Sequence, residues 1–164
     1  DDLIKMKQVE NKLISENEEY FKIKDYNMIL ESIDKYDEYL SDNKFALIHN
    51  DLHFDNVIYN NGKLTIIDFN DSIQAPIDFE FRLLYMCQEQ PWKWADIEMD
   101  PYQKPEDYKN IWNYIKKYYK ELNEIKFLEQ RMIIYRIWND TGHLKKYHNV
   151  ELTKGIVENS KKLI

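Results

Sequence analysis

The chain has 164 residues, enough for one ordinary domain and too few for two sizeable ones. Thirteen Tyr, seven Phe and four Trp can fill a substantial core, which excludes wholesale disorder; three Gly and four Pro exclude a collagen-like or flexible linker protein. A formal charge of -7 argues against non-specific binding to nucleic acid or to an anionic membrane.

Taken in chain order, Leu3, Met6, Val9, Leu13 and Ile14 fall at helical spacing and predict a first helix from Leu3 to about Glu19. Met28, Ile29, Ile33, Tyr36 and Leu40 form a second helical stripe. Asp25 is placed to cap its start, and it should end near Ser41-Asp42-Asn43. Phe45-Ala46-Leu47-Ile48 is a short apolar run. It leads into His49-Asn50-Asp51-Leu52-His53-Phe54-Asp55-Asn56, the most unusual stretch of the chain. Val57-Ile58-Tyr59 and Leu64-Thr65-Ile66-Ile67 read as two strands, and Asn60-Asn61-Gly62-Lys63 joins them with hairpin-turn chemistry. Asp68-Phe69-Asn70-Asp71 follows the second strand.

From Asp78, the residues Phe79, Phe81, Leu83, Leu84, Met86 and Cys87 predict a largely buried helix. The stretch from Gln90 to Pro105, with Pro91, Pro101, Trp92 and Trp94, reads as a loop or a broken helical connection. Two longer helices are expected over Glu106–Lys120 and Glu121–Asp140, and a shorter one over Thr153–Lys162 with Gly155 in its first turn. No internal repeat or domain boundary interrupts the pattern.

Cys87 is the single cysteine, so no internal disulfide can form, which fits a reducing, cytoplasmic setting. No apolar run approaches the roughly 20 residues that span a bilayer, and Asp1-Asp2-Leu3-Ile4-Lys5 lacks a signal-peptide pattern. A start at Asp1 instead of Met fits a fragment or a processed form. Charge is uneven. Residues 49–80 carry Lys63 against Asp51, Asp55, Asp68, Asp71, Asp78 and Glu80, and residues 103–164 are net basic. Crowded carboxylates raise the energy unless cations, donors or raised pKa values offset them. Their position beside apolar strands favours a site over a solvated face.

The turn fixes the geometry. With Asn61-Gly62 at its centre, paired residues have numbers summing to about 123, so Asn56 falls opposite Ile67 and Asp55 opposite Asp68. Asn56 and Asp68 therefore return to one open end of the hairpin, with Asp51 on the adjoining loop. A carboxylate and a carboxamide oxygen suit Mg²⁺, which takes oxygen ligands, keeps several waters and often borrows substrate phosphates. Asp68 would bind the metal and Asn56 a second or shared position. Asp51 would face an incoming hydroxyl and accept its proton, the division of labour of phosphoryl transfer.

These residues resemble the protein-kinase-like superfamily, whose catalytic loop reads H-R-D-L-x-x-x-N and whose metal motif reads D-F-G. His49-Asn50-Asp51-Leu52-His53 with Asn56, and Ile67-Asp68-Phe69, are closer to the aminoglycoside phosphotransferase and choline kinase group, with its H-G-D-L-H-x-x-N loop and I-D-F segment. The resemblance implies a predominantly α fold, a kinase-like C-terminal lobe with a small β-hairpin carrying the catalytic and metal-binding loops. It implies Asp51 as base, Asn56 and Asp68 as metal ligands contacting the Mg²⁺-nucleotide, His49 as a loop brace, and Asp78 as a structural anchor. Asn50 stands where the group commonly has glycine, and Asn70 ends the D-F-G-like triplet. Asn tolerates a left-handed backbone at either place.

The resemblance also implies ATP or GTP as donor and a small hydroxylated acceptor, such as an aminoglycoside or amino alcohol. It implies a β-rich N-terminal nucleotide lobe, supplied in cis or in trans, that is not identifiable in residues 1–48. No phosphate-cradling loop can be assembled from Gly62, Gly142 and Gly155. Other readings are a free-standing lobe that binds a metabolite or partner without turnover, and an unrelated metal-assisted hydrolase. An acidic acceptor pocket would draw on Asp71, Glu89, Asp96, Glu98 and Asp100, with Trp92 and Trp94 as a wall or as loop anchors. His53 divides between bracing the loop and touching substrate. Trp112, Trp138, Tyr118, Tyr119 and Tyr135 read as helix packing, Cys87 as inert core, and His143 and His148 as surface or packing residues.

Overall fold

The computed structural model describes residues 2–41, 44–89, 104–147 and 149–164. Of the loop or broken connection expected over Gln90 to Pro105, residues 90–103, with Trp92, Trp94, Asp96, Glu98 and Asp100, lie outside the described residues, as does His148. The fold is predominantly α-helical with a small β region. The helices are α1 (Asp2–Glu16), α2 (Ile23–Asp34), α3 (Tyr36–Tyr39), α4 (Arg82–Cys87), α5 (Pro105–Tyr108), α6 (Ile111–Tyr118), α7 (Leu128–Tyr147) and α8 (Val150–Ser160). The strands are β1 (Phe45–Ile48), β2 (Val57–Asn60), β3 (Lys63–Ile66) and β4 (Ile73–Pro76). No helix among the described residues is long and apolar enough to cross a membrane.

Two compact units form, one from Asp1–Asp42 with Lys126–Ile164 and one from Asn43–Ile125. The first is all helical. Ile14, Ile29, Ile33, Tyr36 and Leu40 are buried as the sequence stripes predict. The inward face of α1 differs by one residue from expectation: Val9 is 50% exposed and Glu10 is fully buried. Asp25 does not cap α2. The N-cap is Lys22, and Asp25 sits in the first turn, where a carboxylate complements the helix dipole.

The predicted helix over Glu121–Asp140 begins later, at Leu128, and runs on to Tyr147. A 3-10 turn at Lys120–Glu124 and a left-handed Phe127 (φ 58°) interrupt the chain before it. A positive φ cannot continue a right-handed helix. Asn149 caps α8, its side chain accepting from the Glu151 N–H at 2.8 Å, so this helix starts before the expected Thr153. Arg131 is buried in α7 and donates to the Tyr39 carbonyl at 3.1 Å and to Tyr135 Oη at 3.2 Å.

Among the described residues, the second unit holds two antiparallel strand pairs. In the β2–β3 pair Val57 faces Ile66, Ile58 faces Thr65, Tyr59 faces Leu64 and Asn60 faces Lys63, the register read from the sequence. Asn61 (φ 49°) and Gly62 (φ 81°) both take positive φ, as a primed two-residue hairpin turn requires. The β1–β4 pair, with Phe45 opposite Pro76 and Ile48 opposite Ile73, joins segments about 25 residues apart. The helix expected from Asp78 is divided: a 3-10 stretch spans Ile77–Phe81, and α4 follows from Arg82. The predicted helix over Glu106–Lys120 is likewise split into α5 and α6. In this unit Trp112 is buried, meeting Tyr85 edge-on at 5.1 Å, whereas Tyr118 is 76% exposed and does not pack as expected.

Candidate active site

The loop between β1 and β2 is held from several directions. The His49 ring bridges two elements: Nε2 lies 2.6 Å from the Ile67 carbonyl and Nδ1 accepts from the Asp51 N–H at 3.3 Å. A carbonyl can only accept and an amide N–H can only donate, so both bonds are satisfied by the tautomer with its proton on Nε2. The Phe69 ring meets His49 edge-on at 4.7 Å. Such an arrangement braces the loop and leaves neither ring nitrogen directed at a substrate.

Asn50 takes φ 71°, so an asparagine occupies the left-handed position where a glycine was the expected residue. Its side chain donates to the Asp71 carbonyl at 3.2 Å. Its own carbonyl accepts from Arg82 Nη2 at 2.6 Å. Arg82 also donates to Phe79 O at 3.0 Å and stacks over the Phe79 ring. The Glu80 carboxylate accepts from the His49 N–H at 2.6 Å and the Asn50 N–H at 3.4 Å. Glu80 and Arg82 thus hold the donors and the acceptor of the same two residues. Sequence reasoning did not single them out; the only signal was an acid and an arginine two residues apart in an apolar helical run. Asp78 is buried at 1% exposure.

Asn56 connects the loop to the hairpin. Its Nδ2 donates to the Asp51 carbonyl at 2.8 Å and to Asp51 Oδ2 at 3.1 Å. Both partners are acceptors, which fixes the amide orientation and leaves the carboxamide oxygen as the group able to meet a cation. The Asn56 carbonyl accepts from the Ile67 N–H at 3.0 Å, extending the hairpin one pair beyond the strands. Asp68 follows directly and is left-handed, at φ 61°. It is exposed, and its Oδ1 accepts from Asn70 Nδ2 at 2.7 Å. The left-handed residue here is Asp68 and not Asn70, which lies in the 3-10 turn Phe69–Asp71. Left-handed non-glycine residues carry strain and gather at functional sites.

His53 Nε2 lies 3.4 Å from Asp51 Oδ2, and His53 Nδ1 lies 3.7 Å from Asp55 Oδ2. The imidazole thus lies between the two carboxylates, beyond hydrogen-bond distance of Asp55. Among the described residues no group of three or more His, Cys, Asp and Glu side chains could hold a metal ion. The oxygens that the sequence leads one to expect at a metal are the Asn56 carboxamide and the Asp68 carboxylate. Two protein oxygens match a hard cation that keeps waters and takes phosphate oxygens; they do not match a closed structural cage. Burial pushes the Cys87 thiol up to about 12, with Asp55 adding to the shift, so it is a protonated core residue and no nucleophile. His143 is exposed and stacks on Tyr147.

A model of the phosphotransferase enzyme family matches residues 8–110, well over half of the chain. The chain belongs to the phosphotransferase enzyme family. The matched span takes in the whole phosphotransferase-like segment from His49 to Asp78 and ends before α6. Comparison with curated proteins returned no match, and comparison with solved structures returned none either.

Proposed function

We propose that this phosphotransferase-family chain is the catalytic lobe of a Mg²⁺-dependent enzyme that moves the terminal phosphoryl group of ATP or GTP onto a hydroxyl of a small, amine-bearing molecule. Asp51 is the base that orients the acceptor hydroxyl and takes its proton, and Asn56 and Asp68 hold the metal and through it the nucleotide phosphates. Bound Mg²⁺ would neutralise charge on the transferring group. The observation that carries the reading is the Asn56 side chain joined to Asp51 at 2.8 and 3.1 Å while its carbonyl pairs with Ile67, next to Asp68. Hydrogen bonds thus join Asn56 to Asp51 and to the hairpin residue that precedes Asp68, which supports the pre-set positioning on which phosphoryl transfer depends.

The acceptor belongs to the aminoglycoside or amino-alcohol class in this reading, because Asp51, Asp55, Asp68 and Asp71 give the loops a negative field that attracts ammonium groups. A β-rich nucleotide lobe, in cis or in trans, completes the enzyme. Phe45, Leu47, Tyr59, Leu64 and Phe69 of the second unit are exposed apolar side chains against which such a lobe would pack.

The test is a Mg²⁺-dependent phosphate-transfer assay with ATP and GTP against a panel of aminoglycosides and amino alcohols, beside calorimetric nucleotide titration. The chain alone should bind nucleotide weakly and turn over little, and addition of the nucleotide lobe should restore transfer. Transfer by the complete enzyme that survives loss of both the Asp51 and Asp68 carboxylates would reject the assignment. Robust turnover by the chain alone would reject the need for a second lobe.

A further inference from the structure

The helical unit hides a carboxylic acid that the proposed chemistry does not use. Glu10 lies on the inward face of α1 with Ile14, and none of its surface reaches water. Its Oε1 accepts from Tyr36 Oη at 3.0 Å, and its Oε2 is buried with no hydrogen-bond partner among the described residues. Tyr36 opens α3, and α1 packs on α2 and α7.

Among the described residues, the charged groups of these elements lie as follows. On α1, Lys7 reaches Asp37 at 2.7 Å, Lys12 lies 3.7 Å from Glu16, and Lys5 is exposed. On α2, the buried residues Ile29, Ser32 and Ile33 carry no charge; Lys24, Glu31 and Asp34 are exposed, and Asp25 sits in the first turn. On α7, buried Arg131 donates to Tyr39 O and Tyr135 Oη, and buried Asp140 lies 3.8 Å from Arg136 Nε. Glu129 and His143 of α7 are exposed. Burial acts on the Glu10 carboxyl first, and the Tyr36 hydroxyl opposes it more weakly.

An ionised carboxylate without a cation and with one hydrogen bond is expensive to enclose, and such a group takes up a proton instead. We propose that Glu10 and Tyr36 form a proton-held latch, in which α1 seats in the helical unit with Glu10 as a neutral acid and loosens as that proton is withdrawn. Burial lifts Glu10 from 4.5 to about 8, so the folded chain keeps a proton that the unfolded chain has released. The stabilisation is complete below the unfolded value, declines as pH rises from 4.5 toward 8, and has gone above it.

Carbon-13 NMR of the glutamate carboxyls in the full chain tests the latch directly. One resonance should titrate near 8 and disappear in Glu10→Gln; a spectrum with every glutamate titrating near 4.5 overturns the proposal. In urea unfolding, the midpoint of the wild type should fall between pH 5 and 8 relative to that of Glu10→Gln, and parallel curves overturn it. Tyr36→Phe removes the donor that favours the charged form and should move the Glu10 midpoint higher; a lower midpoint contradicts the latch. If Glu10→Gln does not fold, the wild-type and Tyr36→Phe titrations decide.

Discussion

The backbone N–H of Ile67 meets the carbonyl of Asn56 at 3.0 Å, one pair beyond the Val57–Ile66 pair of β2 and β3. This bond places Asn56 beside the residue that precedes Asp68. The His49 ring reinforces it by taking the Ile67 carbonyl at 2.6 Å. Ile67 thus has its N–H on one end of the loop and its C=O on the other, and Asp68 leaves this anchored point through a left-handed turn.

Replacing the proposed base should separate chemistry from folding. In the complete enzyme, Asp51→Asn is expected to lower phosphoryl transfer by about 10²–10⁴-fold. Its unfolding free energy in urea should stay within about 0.5 kcal/mol of the parent, because the side chain is partly exposed and an amide oxygen can still accept from Asn56. A near-normal rate would show that Asp51 is not the base.

Two variants distinguish charge from backbone at Asp68. Asp68→Asn keeps a residue that accepts positive φ, so stability should hold while the Mg²⁺ concentration for half-maximal rate rises at least about tenfold. Asp68→Ala should in addition destabilise by about 1–2 kcal/mol, because the left-handed backbone disfavours a Cβ that has no compensating local hydrogen bond. An unchanged Mg²⁺ requirement in both would remove Asp68 from the metal site.

Glu80→Ala should loosen the loop without touching its chemical groups. The loss of charge-assisted bonds to the His49 and Asn50 N–H groups is expected to destabilise by about 1.5–3 kcal/mol. Hydrogen exchange at the His49 and Asn50 amides should accelerate more than exchange in α7. Uniform acceleration across the chain would assign Glu80 to general packing.

Cys87 should resist modification while the protein is folded. With the thiol buried and raised to about 12, iodoacetamide at pH 8 should label it slowly in buffer and fully in urea. Rapid labelling of the native chain would show that the residue is open to solvent.

How far the site was legible follows from the separation of its parts. The hairpin depends on adjacent residues: Asn61-Gly62 selects a primed turn, and the turn sets a register in which Asn56 must face Ile67. The loop motif was recognisable because its residues lie within eight positions. The role of Glu80 was hidden, because an acid in an apolar run carries no sign that its carboxylate reaches back 31 residues to His49. The pairing of β1 with β4 was hidden for the same reason, and Ile73-Gln74-Ala75-Pro76 is too short to announce a strand.

The sequence by itself determined a predominantly helical chain, one hairpin and its register, and the group of side chains that carries the family likeness, because each depends on local spacing and turn chemistry. Tertiary structure decided which face of α1 turns inward, burying Glu10 in place of Val9, and which charged residues hold the loop. Helical periodicity brings neighbouring positions almost equally close to the core, and only the packing of α2 and α7 against α1 selects between them.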